Sequence, residues 1–365
     1  MSVNEIILFV MAVFAVLGAL DRIFGNRLGL GKQLEEGILA MGALALSMLG
    51  ILCLAPVLAK LLKPVLAPLF GFLGADPAMF AGTILACDMG GGALAQELTQ
   101  NEQAALLGGV ITGSMLGATI VFTIPVALGI LKEEDRPALA KGILCGIVTI
   151  PVGILAGGLV AGFSVMMVLK NLIPIVIIGA LVALGLWKAE KWMIKGFGFF
   201  GKLIVAVITV GLAAAIVEAL TGFVVIPGLA PIEEGFQTVG AIAIVLAGAF
   251  PLVYAVTKVL RKPLMKLGGL LRINETAAAG LIASLANSIA TFGMVKDMDN
   301  RGKVVNVAFA VSAAFVFGDH LGFTAGFAPQ MLPAMIAGKL SGGVSAVAVA
   351  LLLTKKEKEK RHETR

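Results

Sequence analysis

Charge is in short supply in this chain. Only 14% of its 365 residues are charged, against roughly a quarter in a soluble domain, and this excludes water as the solvent for most of its surface. There are two histidines, and no His-Glu-x-x-His zinc helix. The three cysteines, Cys53, Cys87 and Cys145, are scattered through apolar stretches without metal-ligand spacing. They read as small core residues, and neither a metal nor a cofactor is implied. No Lys or Arg precedes the first apolar run and no clear cleavage pattern ends it, so residues 1–20 are expected to be a spanning helix rather than a signal peptide.

What the chain does have is apolar length. Hydrophobic residues make up 59% and the mean hydropathy is +1.02; a spanning helix needs about 20 apolar residues. Such runs place crossings near 4–22, 37–59, 104–131, 138–162, 166–187, 203–220, 236–257, 304–328 and 333–354. The fold class is therefore an all-α integral membrane protein with about nine spanning helices. The 46 glycines suit close helix packing in lipid. The net charge of +6 belongs to the loops and does not point to nucleic acid.

The chain also repeats itself. At an offset of 198, Glu35, Glu36 and Gly37 fall on Glu233, Glu234 and Gly235, Lys60 and Lys63 on Lys258 and Arg261, and Ala81 and Gly82 on Ala279 and Gly280. After small gaps, Gly117 and Phe122 fall on Gly318 and Phe323, and Pro137, Gly142 and Gly146 on Pro333, Gly338 and Gly342. Two halves of this size are a transporter architecture. The expected units are 1–162, a connecting segment 163–198, a second unit 199–354 and a basic tail 355–365.

Two segments fit no simple crossing. Residues 77–99 break at Asp88-Met89-Gly90-Gly91-Gly92, and 276–294 break around Ala286-Asn287-Ser288. If both are re-entrant hairpins and the N-terminus is outside, 24 of the 28 Lys and Arg lie on the cytoplasmic side, as cytoplasmic loops require. If both span, the division is 13 inside and 15 outside, which is no bias. The hairpin arrangement makes the two units inverted relative to each other and leaves the C-terminus cytoplasmic. The hairpins then enter from opposite sides, with tips near the midplane where such transporters bind substrate. Trp187, Trp192 and the phenylalanines of 196–202 read as an interfacial belt.

An ionisable group in hydrocarbon is a functional candidate by default. Asp88 stands at the first tip, followed by glycines, Gly90 and Gly91 among them, that let a ligand approach the backbone. The substrate or ion role is preferred for it over capping the second half-helix. Asn287 and Ser288 hold nearly the equivalent position in the second hairpin, where they either bind solute or satisfy the broken backbone. Asp319 and His320 lie opposite Ala118 and Thr119 of the first unit, so this acid occurs in one half only. A buried structural pair is the alternative there. An intramembrane aspartyl protease is disfavoured because Val316 replaces the glycine that precedes the second aspartate in that family, and no nucleophile and base pair is evident.

The strings Phe80-Ala81-Gly82-Thr83-Ile84-Leu85-Ala86-Cys87-Asp88-Met89-Gly90-Gly91, Gly146-Ile147-Val148-Thr149-Ile150-Pro151 and Gly318-Asp319-His320-Leu321-Gly322-Phe323 resemble the EutH family, the ethanolamine permeases of bacterial ethanolamine utilisation. The resemblance covers essentially the whole chain. It implies a bacterial inner-membrane protein, not an enzyme, that imports ethanolamine by facilitated diffusion. Ethanolamine is a protonated primary amine with a hydroxyl two carbons away, and its site should offer a carboxylate and an amide or hydroxyl. Asp88 is then expected to take the ammonium, Asn287 or Ser288 the hydroxyl, and Asp319, tuned by His320, to act as a second acid. Phe292 or Phe323 would be an aromatic lid. The alternatives are an ion- or proton-coupled carrier of another small amine and a membrane-embedded enzyme. A homo-oligomer is compatible with the sequence.

Overall fold

The structure, a computed structural model, describes residues 3–363, apart from the side chains of 260–262, 264, 267 and 355–363. The expected basic tail, 355–365, therefore falls outside the described side chains. Every element among the described residues is helical. Seven helical stretches are long and apolar enough to cross a membrane.

The first is α1 (Val3–Ile23). It is followed by α2 (Leu30–Phe72), whose 43 residues extend about 65 Å at 1.5 Å per residue, well beyond one hydrocarbon core. Next, α3 (Ala78–Ile84) and α4 (Gly91–Leu98) are joined by the turn Cys87–Met89. The Thr99 hydroxyl donates to the Asp76 carboxylate (2.8 Å), so the segment doubles back and its two ends meet. The crossing α5 (Glu102–Ile130) is wound as a wide π-helix over Leu107–Gly117 and Thr119–Thr123, and it is the most deeply buried of the seven. A short kink at Val148 and Thr149 separates α6 (Arg136–Ile147) from α7 (Ile150–Val160).

The 57-residue α8 (Val165–Thr221) contains both of the crossings expected at 166–187 and 203–220. Its backbone leaves helical dihedrals at Ala189 (φ −140°, ψ 42°). A methyl on Gly185 would meet the Met193 sulfur at 2.6 Å, whereas eight residues of straight helix span about 12 Å, so the chain turns sharply there. Trp187 and Trp192 flank the turn, 74% and 78% exposed.

The second half opens with α9 (Ile232–Leu271). The crossing expected near 236–257 continues as helix through the basic stretch that follows it, up to Leu271. Pro251 and Pro263 lie within α9 without ending it. The helices α10 (Glu275–Ala286) and α11 (Ser288–Met294) again double back: Asn274 donates its backbone N–H to Asp299 and its side-chain amide to the Asp297 carbonyl.

The expected continuous helix at 304–328 is corrected by the structure. It is broken into α12 (Asn300–Ala313) and α13 (Asp319–Phe327). The intervening segment carries Phe315 at φ +63°, a region costly for a residue with a Cβ. The neighbouring hairpin holds it there, because the N–H groups of Phe315 and Phe317 donate to the Ser284 and Leu285 carbonyls (3.0 and 2.8 Å). These carbonyls end α10 and have no partner within their own helix. In hydrocarbon that satisfaction is worth several kcal/mol. The chain closes with α14 (Leu332–Glu363).

The sequence-equivalent helices α2 and α9 pack on each other. A methyl on Gly37 would meet the Leu246 carbonyl oxygen at 2.5 Å, and one on Gly235 would meet Leu49 Cδ2 at 2.7 Å. Residue 37 thus faces 246 while 49 faces 235, so the two helices run antiparallel. Elsewhere Gly117 packs on the Leu85 carbonyl and its counterpart Gly318 on the Ala286 carbonyl. Each half thereby seats a glycine on the carbonyl at the end of its own broken helix.

Candidate functional site

The turn at Cys87–Met89 delivers Asp88 to the interior. It can close because Gly90 adopts φ +90°, open to glycine at little cost, while Ile51 fills the space where a side chain would stand. Gly91 lies against the Leu85 and Ala86 carbonyls. The N-cap of α4 is Gly90, so capping does not account for Asp88.

Asp88 lines a cavity of about 220 Å³ with Ser47, Phe122, Phe315, Asp319 and His320 among its walls. Its carboxylate is 16% exposed and lies 3.7 Å from His320 Nε2. His320 is buried, and its Nδ1 has no hydrogen-bond partner. The break before α13 places Asp319 and His320 in the first turn of a helix, where the positive end of the helix dipole favours an anion. Phe315 stands edge-on to Phe122 (centroids 5.4 Å apart, 83°) and 5.2 Å from the His320 ring. The cavity thus combines two carboxylates with two aromatic walls.

A second cavity, about 330 Å³, is lined by Gln33, Glu36, Tyr254, Asn287 and Asp319. Asp319 belongs to both cavities. Asn287 belongs only to the second, and its side-chain oxygen already accepts the Ile289 N–H (2.8 Å), which leaves its NH2 as the group available to a solute. Ser288 lines neither cavity. It is fully buried with its hydroxyl unpartnered. The structure therefore brings Asp88, Asp319 and His320 together, with Gly90 and Gly91 shaping the turn beneath, and sets Asn287 and Ser288 apart from them.

A model of the EutH family, described as ethanolamine utilisation protein EutH, matches residues 3–353. This chain belongs to the EutH family. It is 61% identical over 360 residues to the probable ethanolamine permease EutH of Listeria monocytogenes, covering 99% of this chain and 96% of that one. It is 50% identical to the Salmonella typhimurium protein of the same name, over 98% and 97% of the two chains. It is also 52% identical to the uncharacterized protein YxeR of Bacillus subtilis, over 100% and 98%. No solved structure matches the chain.

In this EutH chain the site holds residues that the sequence did not single out. Lys339, 1% exposed, reaches from α14 to donate to the Ser114 carbonyl in the wide coil of α5. Ser114 follows Gly113, which packs on the backbone of Cys87, so the Lys339 ammonium stands close behind the turn that carries Asp88. The signal for it was present: a single Lys within an apolar crossing, at the position where the first unit has Ile143. Phe122 and Phe315 supply the aromatic wall, whereas Phe292 and Phe323 are buried and line neither cavity. The donor atoms of Cys87, Asp88 and His320 lie within 4.8 Å of one another, a spacing a borderline metal could use. A fixed ammonium beside them opposes a divalent cation.

Proposed function

We propose that this protein imports ethanolamine across the bacterial inner membrane by facilitated diffusion with alternating access. In this reading the protonated amine sits between Asp88 and Asp319 with Phe122 and Phe315 around it. The observation that carries the reading is the first cavity. It is several times the ~30 Å³ share of one water, its walls are largely apolar, and it presents carboxylates and aromatic faces, the two groups that bind an ammonium. The names of the Listeria and Salmonella relatives, probable ethanolamine permeases, support the substrate and a carrier rather than an enzyme.

The proposed framework is a pair of inverted units, 1–162 and 199–354, with 163–198 connecting them and hairpins at 77–99 and 276–294. The antiparallel packing of α2 on α9 and the paired ends of each hairpin support it. The N-terminus is taken to be outside and the C-terminus cytoplasmic. The second cavity, with Glu36, Asn287 and the shared Asp319, is the approach from the other side. There the Asn287 NH2 can donate to the substrate hydroxyl.

Uptake of labelled ethanolamine into proteoliposomes tests the assignment. Asp88→Asn should lower uptake by about a hundredfold or more, since breaking a buried ion pair costs roughly 3–5 kcal/mol, while the protein remains in the membrane in normal amount. Normal uptake by this variant would remove Asp88 from the ammonium site. A second reading, a proton- or cation-coupled carrier, is favoured by Asp319 and His320 in the cavity wall. Imposed pH and sodium gradients separate the two, because a uniporter equilibrates ethanolamine with neither.

A further inference from the structure

Lys339 is a buried ammonium that the binding of an amine does not by itself require. It is fixed at one end only. Among the described residues its one hydrogen bond is to the Ser114 carbonyl, although an ammonium has three donors. Its location relative to the site is set by backbone packing. Gly113, the residue before Ser114, lies against the backbone of Cys87, where a methyl would meet the Cys87 nitrogen at 3.1 Å. The ammonium therefore sits behind the turn that carries Asp88. The corresponding residue of the first unit is Ile143, fully buried, so the position can be filled by an apolar side chain and a Lys is not demanded by packing.

A charge count gives the reason for it. Counted formally, with both carboxyl groups ionised, Lys339 protonated and His320 neutral, the empty site carries one net negative charge, and the site holding a protonated amine carries none. Removing the Lys339 charge makes these values two and one. A carrier that works without a coupling ion must return empty, and a net charge held away from water is costly and grows more costly with its size.

We propose that Lys339 is a built-in cation that offsets the site's carboxylates when no substrate is bound and so permits the empty carrier to reorient. This rests on the carrier reading above, with Lys339 as a positioning residue that does not itself hold the substrate. Without its charge the loaded carrier has the same net charge as the native empty one and still moves. The empty carrier has two uncompensated charges and does not.

The test is reconstitution of wild type and Lys339→Gln, which removes the charge and keeps an amide donor, one bond shorter, on the side of the Ser114 carbonyl. Two measurements are made on each: net uptake of labelled ethanolamine into empty vesicles, and exchange into vesicles preloaded with unlabelled ethanolamine. Net uptake by Lys339→Gln should fall by about tenfold or more while exchange stays within about threefold of wild type, the asymmetry expected of a penalty on the empty state alone. Should Lys339→Gln fail to accumulate in the membrane, Lys339→Met, which mimics the apolar residue of the first unit, must show the same split. A parallel fall in both fluxes would overturn the proposal in favour of a packing or ligand role, and so would two unchanged fluxes. If wild type itself moves no ethanolamine in either assay, the carrier reading fails and this inference with it.

Discussion

At the scale of single residues, Phe122 shows what a repeat can and cannot say. In sequence register it falls on Phe323, which with Phe292 was one of the two rings expected to cover the substrate. The structure gives the two rings different surroundings. Phe122 lines the cavity beside Phe315, while Phe323 stacks on Phe327 (4.8 Å) and is buried against Gly92. A cation over an aromatic face gains about 0.5–2 kcal/mol, so Phe122→Leu, which keeps the bulk and removes the π-face, should raise the KM for ethanolamine about two- to thirtyfold. The maximal uptake rate should stay near wild type. Concentration-dependent uptake in proteoliposomes measures both, and an unchanged KM would place the ammonium away from this ring. Asp88, Asp319 and His320 were legible because ionisable groups stand out in apolar segments. Lys339 is equally visible, as a single cation within an apolar crossing, but a lone Lys there has no local pattern that ties it to Asp88.

Among the elements, those with local causes were legible and those with tertiary causes were not. The break after Ala86 is written in its glycines, and that before Ser288 in an Asn-Ser pair at the end of an alanine-rich helix. The break between α12 and α13 has no such mark: Ala313-Ala314-Phe315-Val316-Phe317 reads as a continuous apolar helix. It opens because the hairpin beside it offers the Ser284 and Leu285 carbonyls to its N–H groups, a cause that lies about 30 residues away in sequence. The glycine-rich crossings follow the same logic. Gly153 of α7 and Gly338 of α14 each face the other's carbonyl, with methyl positions 2.7 and 2.9 Å from it, and Gly157 and Gly342 lie one helical turn further along each helix. Because close van der Waals approach is what holds helices together in lipid, and overpacking costs typically 1–3 kcal/mol, Gly153→Leu should lower the unfolding midpoint in detergent and the yield of folded protein. Gly153 lines neither cavity, and Lys339 is not read as a substrate ligand, so whatever protein folds should retain the wild-type KM. A KM that moves with the melting temperature would mean that this crossing also shapes the site.

For the whole molecule, the decisive property is the direction in which the two halves face. The paired hairpin ends lie at Asp76 and Thr99 in one half and at Asn274 and Asp299 in the other. Since α2 and α9 run antiparallel and lead into these two pairs, the pairs are expected on opposite sides of the bilayer. Gln100 and Asn300 are exposed beside them, and the native cysteines, Cys53, Cys87 and Cys145, are all buried, so a membrane-impermeant thiol reagent has little background. Gln100→Cys should be labelled on intact spheroplasts, whereas Asn300→Cys should be labelled only after the membrane is opened, in keeping with the N-terminus outside. Because α2 and α9 run antiparallel, labelling of both from one side would mean that one of the two hairpins crosses the membrane instead of returning. The reverse pattern would keep the inversion but turn the protein over, against the distribution of its Lys and Arg. In the proposed arrangement of opposed hairpins, an exchange of roles between the two units is what would open Asp88 and Asp319 to each side in turn.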